Sequence, residues 1–415
     1  MKPRRILLVS HELSHTGAPN SLLRQARFLL DAGHAVAVWT LADGPLRAAY
    51  EAAGLRVEQV GGGYDEVRRR AAAAAPHCDL VICNTYLAYR FADAFAALGR
   101  PVVWFIRETG NLKAPLASDR DFARVFRGFY NLYTVSAYAR DFIAPVNPNV
   151  RYFNNSVEDR FTDYAPVKPG VLRFGFIGSI TRRKGLGPLL SAFFELVTDD
   201  VAVTLTIAGR YEGSEEGDRL RRLTAQRRDV VWLGEVSGAD RDAFFDSIDV
   251  LCVPSLDEPS GLTLLEGAMF GKALLASDRV GAGYVVNGRN GVVVPLAELG
   301  RGLRHFLVNF PQLRAMQQES RRQYLQWATP ARERDDVLKM LADNVANFPP
   351  ADRGARAPVR QFFKKENVGA THWRFLIWGV PVLKCRKMRW AKRLARRLLV
   401  CLGANPDRFG FTSES

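Results

Sequence analysis

Two glutamates stand eight residues apart in the run Glu258-Pro-Ser-Gly-Leu-Thr-Leu-Leu-Glu266, shortly after the apolar run Val250-Leu-Cys-Val-Pro254. Residues Gly261 to Phe270 read as a helix with Ser260 as its N-cap, which leaves the backbone N–H groups of Leu262, Thr263 and Leu264 unpaired in the first turn. Free N–H groups at a helix start attract phosphate. One carboxylate just outside that turn and another a turn inside it could hold hydroxyls on both sides of a bound pyrophosphate, one on a sugar and one on a ribose. Taken singly, each acid also reads as an ordinary solvated surface acid. A second constellation speaks for the ligand. Phe174-Gly-Phe-Ile-Gly-Ser-Ile-Thr-Arg-Arg-Lys-Gly185 sets a strand end, a glycine-containing loop and the cations Arg182, Arg183 and Lys184 before a helix, an arrangement for charge-assisted binding of phosphate.

The elements that must position these groups alternate between short apolar runs and amphipathic stretches, the pattern of parallel strands joined by crossover helices. Strands are expected at Ile6 to Ser10, Ala35 to Thr40, Arg56 to Val60, Asp79 to Cys83, Pro101 to Ile106 and Asn131 to Val135, with helices at Ala18 to Leu30 and Leu87 to Leu98. The polar, proline-containing stretch Asp163 to Gly170 reads as a linker. Alternation then restarts, with strands at Leu172 to Ile177, Val203 to Ala208, Val230 to Leu233, Val250 to Val253 and Ala273 to Ala276. Both constellations fall at strand ends of this second half, so they can converge on one ligand. The chain reads as α/β, two Rossmann-like domains whose strand ends face an interdomain cleft. After Arg301 it turns helical, and Pro330 breaks the last two helical segments.

At these residues the chain resembles the GT-B fold retaining glycosyltransferases of family 4 (glycosyl transferases group 1), whose E-x7-E hallmark is matched by Glu258 and Glu266. The likeness runs from residue 5 to about 345 and includes Thr16-Gly17-Ala18, the Arg-Lys-Gly loop, Gly209, Trp232-Leu233-Gly234 and Ala268-Met-Phe-Gly-Lys272. It implies an acceptor-side domain over 1–165, a nucleotide-sugar domain over 170–315, and helices over 316–347 crossing back. Arg183 and Lys184 would neutralise the donor diphosphate, with the Thr263 and Leu264 amides, Arg182, Ser179 and Gly178 assisting. Glu266 would bind the donor ribose and Glu258 the transferred sugar, while Gly17 would let the first loop come close to the ligand. Trp232 to Glu235 would lie near the base. The implied reaction transfers a sugar from a nucleoside-diphosphate sugar to a glycan or lipid-linked acceptor in cell-surface polysaccharide assembly, with retention, no metal and no further cofactor. A nucleotide-sugar epimerase and a non-catalytic sugar-nucleotide-binding scaffold are the alternatives.

Two positions depart from the family pattern. Arg107 stands where a His commonly contacts the transferred sugar. It cannot act as a base, but it can bind a carboxylate or phosphate bidentately, or it can pair with Glu108 and only shape the cleft. Ser179 stands where many members have an Arg, whose charge Arg182 could supply. His11 and His15 follow the first strand and could face the cleft or simply lie on the surface. Asp119-Arg-Asp121 and Asp240-Arg-Asp242 match a metal-binding string of another glycosyltransferase fold, but such strings are common and a hard cation needs several convergent oxygens.

The charge balance separates the body from the tail. The formal net charge of +15 divides into +11 over residues 351–415 and +4 over the first 350. From Met388 to Leu402, Trp390, Leu394 and Leu398 fall on one helical face and Arg389, Arg393, Arg396 and Arg397 on the other. This basic helical extension over 351–415 reads as an interfacial helix on an anionic membrane, with residues 373–402 as the contact, or as a helix packed on the body. It carries no recognised nucleic-acid motif. The apolar run Ile6 to Val9 is too short for a signal peptide and no run is long enough to span a bilayer, so a cytoplasmic protein, peripheral on the membrane, is expected. Cys78, Cys83, Cys252, Cys385 and Cys401 form no metal-type pattern and read as reduced.

Overall fold

The computed structural model describes residues 2–196, 201–210 and 214–345, and within the tail 363–367, 372–377 and 380–386. Seven strands form the first sheet: β1 (Arg5–Ser10), β2 (Ala35–Thr40), β3 (Arg56–Gln59), β4 (Leu80–Asn84), β5 (Val102–Phe105), β6 (Leu132–Thr134) and β7 (Val150–Tyr152). All pair in parallel, in the order β3-β2-β1-β4-β5-β6-β7. The central strands are continuous apolar runs because both faces are covered. Leu7 and Val9 enter one core layer with Phe91, Phe95 and Phe126, whereas Ile6 and Leu8 enter the other with Leu22, Leu29 and Tyr50.

The second sheet repeats the logic with β8 (Val171–Ile177), β9 (Ala202–Ala208), β10 (Val230–Gly234), β11 (Val250–Val253), β12 (Ala273–Ser277) and β13 (Gly291–Val294), again all parallel, in the order β10-β9-β8-β11-β12-β13. Phe174, Phe176 and Cys252 face one layer, and Leu251, Val253 and Leu274 the other. The expected strands are present, and β7 and β13 are additions at the sheet edges. In each sheet the strand order reverses once, between β1 and β4 and between β8 and β11. Open α/β sheets bind ligands at the carboxyl ends beside such a reversal. The residues that follow β8 and β11 are the Arg-Arg-Lys loop and the loop carrying Glu258.

The linker Asp163 to Gly170 has no regular structure but is docked, with Tyr164 against Gly271 and Phe161. The return crossing falls between two helices. Leu313–Trp327 packs on the second domain, with Leu313, Met316 and Tyr324 in its cores, whereas Pro330–Val345 gives Val337, Met340, Leu341 and Val345 to the first.

The tail forms a separate unit from residue 351 onward. Its described part is a three-stranded antiparallel sheet of β14 (Phe363–Asn367), β15 (His372–Ile377) and β16 (Val380–Arg386). The aromatic and apolar run from Trp373 to Leu383 thus supplies two paired strands, and the amphipathic segment 388–402 lies outside the described residues. No described helix is long and apolar enough to cross a membrane. Cys78, Cys83 and Cys252 are free and buried, and burial pushes their thiols up, Cys78 to about 11.

Candidate active site

The second-domain wall of the cleft is built by two loops laid on one another. After β8 the chain makes a short 3-10 turn, Arg182–Lys184, closed by Gly185 in the left-handed region at φ 74°. A Cβ on Gly185 would sit 1.8 Å from the Pro254 carbonyl oxygen, so only glycine permits this approach. The Leu256 N–H donates to the Arg183 carbonyl at 2.8 Å, completing the contact. As a result the Lys184 ammonium donates a charged hydrogen bond to Glu258 Oε2, and Arg183 Nη1 lies 3.6 Å from the same oxygen and 2.7 Å from the Asp257 carbonyl. Glu258 is fixed from behind: its N–H donates to the Arg279 carbonyl at 2.9 Å and its carbonyl accepts from Gly281 at 2.8 Å.

The helix after this loop spans Leu262–Met269, and its cap is Gly261 rather than Ser260. Gly261 adopts φ +78°, where a side chain is strained. The Ser260 hydroxyl instead accepts from Asn155 Nδ2 at 2.7 Å, so it is turned to the first domain. The Leu264 N–H donates to the Gly261 carbonyl at 2.9 Å, which removes it from the expected phosphate donors. Leu262 and Thr263 retain N–H groups without a partner among the described residues. One turn in, Glu266 is gripped by Arg241 through both carboxylate oxygens, and Arg160 stands 3.8 Å away while pairing with Asp242 at 2.6 Å.

The remaining expected phosphate ligands are less convergent. Arg182 is exposed and lines a depression with Glu215, Glu216 and Arg219 that includes neither Lys184 nor Glu258. Ser179 is exposed on the turn after β8, and Gly178 donates its N–H to the Ala208 carbonyl at 3.0 Å. Gly234, at the end of β10, accepts from the Gly209 N–H at 2.6 Å, which brings the expected base-side segment to the same strand ends.

The first-domain wall is made by the loop after β1 and the ends of β4 and β5. Gly17 opens the helix Gly17–Asp31 opposite Leu262; a Cβ there would meet Leu262 Cδ1 at 3.5 Å, an ordinary contact, so the protein's own packing does not demand glycine. Arg107 follows β5. Its Nε–H donates to Asn84 Oδ1 and its Nη1 to Asn155 Oδ1 at 3.5 Å, while Nη2 is buried without an acceptor. Burial lowers the guanidinium to about 10, against the raising influence of Glu333. The pairing of Arg107 with Glu108 is absent: Glu108 Oε2 accepts from the backbone N–H groups of Arg107 at 2.9 Å and Tyr86 at 3.4 Å, and burial pushes this carboxyl up to about 7. His11 lies in the field of Arg107, and burial first, then that positive charge, hold its imidazole below the usual value despite Glu12. His15 is exposed.

A side chain outside the sequence motifs makes the most contacts between the two walls. Asp257 reaches into the first domain, accepting from the Thr109 hydroxyl, from the Gly110 N–H at 2.9 Å and from the Tyr138 hydroxyl at 3.0 Å. Beside it, the Ser136 hydroxyl donates to the Pro259 carbonyl at 2.6 Å. The only hint in the sequence was the place of Asp257 next to Glu258, since its partners lie far away along the chain. Likewise the acidic strings have local roles: Asp119 caps the helix Arg120–Gly128 through the N–H groups of Asp121 and Phe122, and Asp242 pairs with Arg160.

Two parallel Rossmann-like sheets, with a cation loop and an acid loop at the reversal of the second, make a GT-B protein. The chain matches the family Glycosyl-transferase family 4 over residues 2–119 and Glycosyl transferases group 1 over residues 172–315, and it belongs to this family of GT-B type. It is 32% identical over 171 residues to a D-inositol 3-phosphate glycosyltransferase of Pseudarthrobacter chlorophenolicus, covering 39% of this chain and 40% of that relative. The chain therefore matches less than half the length of this curated relative. Anabaena HepE in complex with UDP and glucose shares the fold at a TM-score of 0.67 and 18% identity, covering 82% of this chain and 100% of HepE. WaaG, a glycosyltransferase involved in lipopolysaccharide biosynthesis, does so at a TM-score of 0.61 and 16% identity, covering 80% of this chain and 99% of WaaG.

Proposed function

We propose that this protein transfers a sugar from a nucleoside-diphosphate sugar to a glycan or lipid-linked acceptor, with retention of configuration and without a metal. The observation that carries the reading is the Lys184–Glu258 pair at the β8/β11 reversal, beside the N–H groups of Leu262 and Thr263, which have no partner among the described residues. Rupture of the anomeric carbon–oxygen bond leaves its electron pair on the diphosphate, where Lys184, Arg183 and the helix start stabilise the charge as it develops. Glu258, released from Lys184 by the incoming phosphates, accepts hydroxyls of the transferred sugar, and Glu266 those of the ribose. The acceptor hydroxyl attacks the oxocarbenium-like sugar from the face that the diphosphate leaves. The proton passes to the departing diphosphate. HepE, which binds UDP and glucose, supports a nucleotide-sugar donor. We further place the acceptor in cell-surface polysaccharide assembly at the cytoplasmic face of a membrane, a reading supported by the +11 charge of residues 351–415.

A panel of nucleotide sugars screened by thermal shift identifies the donor, because a ligand that binds only the folded state raises the melting temperature. With that donor, slow hydrolysis to the nucleoside diphosphate in EDTA is expected, reduced about 100-fold or more in Lys184→Ala and Glu258→Ala variants that keep the wild-type circular dichroism. Undiminished release by the folded variants would falsify the assignment.

A further inference from the structure

Arg107 carries a half-buried positive charge, its Nη2 fully enclosed, that the protein itself leaves without an ion pair. Its donors reach the neutral amides Asn84 and Asn155, and Nη2 reaches nothing. The acids whose fields it feels are committed elsewhere. Glu333 accepts from Arg24 Nε at 2.7 Å, Gln25 Nε2 at 3.3 Å and the Ser156 N–H at 2.9 Å. Glu108 serves backbone N–H groups. Among the described residues no carboxylate lies within ion-pair distance of the guanidinium. Such an arrangement is costly, because removing a cation from water needs a compensating anion or a full set of acceptors, and a guanidinium does not shed its proton at neutral pH.

The location explains why the cost is tolerated. Asn84 also donates to the Ala18 carbonyl at 3.2 Å, in the first turn of the helix that faces Leu262. Asn155 also donates to Ser260, in the loop that carries Glu258. The guanidinium is therefore held between the two walls, at the carboxyl ends of β4 and β5, with its Nη2 enclosed there and without an acceptor. A planar fork held by neutral amides keeps its charge for a carboxylate or phosphate from outside. We propose that Arg107 binds an anionic group, carboxylate or phosphate, carried by the substrate on the first-domain side of the cleft, and so selects charged over neutral substrates. The inference rests on the glycosyl-transfer reading of the cleft. The anion has two sources, a uronic acid as the transferred sugar or a phosphorylated or carboxylated acceptor.

The test uses the full chain as wild type and as Arg107→Gln. UDP, GDP and ADP are titrated first by calorimetry, then the neutral and uronic-acid nucleotide sugars of the base that binds, and finally glucose, glucose 6-phosphate and glucuronate onto the nucleotide complex. The expected result is an anionic probe that binds the wild type about tenfold or more tighter than its neutral counterpart, a margin lost in Arg107→Gln. Affinity for the bare nucleoside diphosphate should change less than about twofold. A margin among nucleotide sugars places the anion on the transferred sugar; one among the free sugars places it on the acceptor. Ligand-free Arg107→Gln should melt no lower than the wild type, since it loses an unpaired buried cation. A fall of more than about 5 °C would show Arg107 to be structural and overturn the inference. So would the absence of any anionic margin, a margin that survives in the variant, or an equal loss of affinity for the bare diphosphate. Failure of all three nucleotides to bind the wild type overturns the glycosyl-transfer reading instead.

Discussion

The two walls of the cleft hold charge in opposite ways. On the second-domain wall, Glu258 and Glu266 already have cations, Lys184 and Arg241. On the first-domain wall, Arg107 has the amides of Asn84 and Asn155 and the ring of Phe105, 5.2 Å away, but no acid. The difference teaches that on the second wall each acid is already compensated within the protein, and under the proposed reading the donor phosphates displace Glu258 from Lys184. The first wall offers no such exchange and must be completed from outside.

The comparison can be broken most severely at the clasp that joins the walls. Asp257→Ala is expected to lower turnover about tenfold to thirtyfold, because the loop that aims Glu258 loses its hold on Thr109, Gly110 and Tyr138. Thr109→Val in the same protein should be strongly non-additive with it, with a coupling of about 1 kcal/mol from steady-state rates. Additive losses would show that Asp257 and Thr109 act separately.

A smaller effect tests whether the second wall is organised by its cations. Arg241→Ala frees Glu266 from its bidentate partner and should raise the donor KM about threefold to tenfold, with kcat within about twofold. A fall in KM would mean that Arg241 competes with the ribose rather than aiming Glu266 toward it.

The smallest effect concerns the acid beside Arg107. The Glu108 carboxyl is raised from 4.5 to about 7 in the folded protein, so the folded state binds more protons than the unfolded state in that interval. Its contribution to stability is therefore lost as the pH rises through that window. Between about pH 4.5 and pH 7 the melting temperature of Glu108→Gln should rise relative to that of the wild type, by a few degrees at most. Parallel melting curves of the two proteins across this range would show that Glu108 is not held protonated.

Much of the fold could be read along the chain because the central strands are long, doubly covered apolar runs. β7 and β13 escaped because their apolar signal is weak in one and broken in the other: β7 buries Val150 while Arg151 and Tyr152 are exposed, and β13 buries only its two end residues. The E-x7-E spacing and the Arg-Lys-Gly loop located the second wall, since both are local patterns. Ser260 has the side chain of an N-cap, yet Asn155 takes it across the cleft and leaves the cap to Gly261. Asp257, Arg241 and Arg160 were invisible as site residues, because their partners are chosen by sheet order and helix packing. In the tail, apolar composition alone did not distinguish a hairpin from an isolated hydrophobic segment.

The helix Pro330–Val345 has a consequence for how the chain is made. Val337, Met340, Leu341 and Val345 complete the core layer built by Ile6, Leu8 and Leu22, and Glu333 joins Arg24, Gln25 and Ser156. The second domain is thus an insertion within the first. During synthesis the second domain has all its strands before the first has its last helix, so the half begun earliest is finished latest, and a fragment ending at residue 165 would expose an unfilled apolar groove.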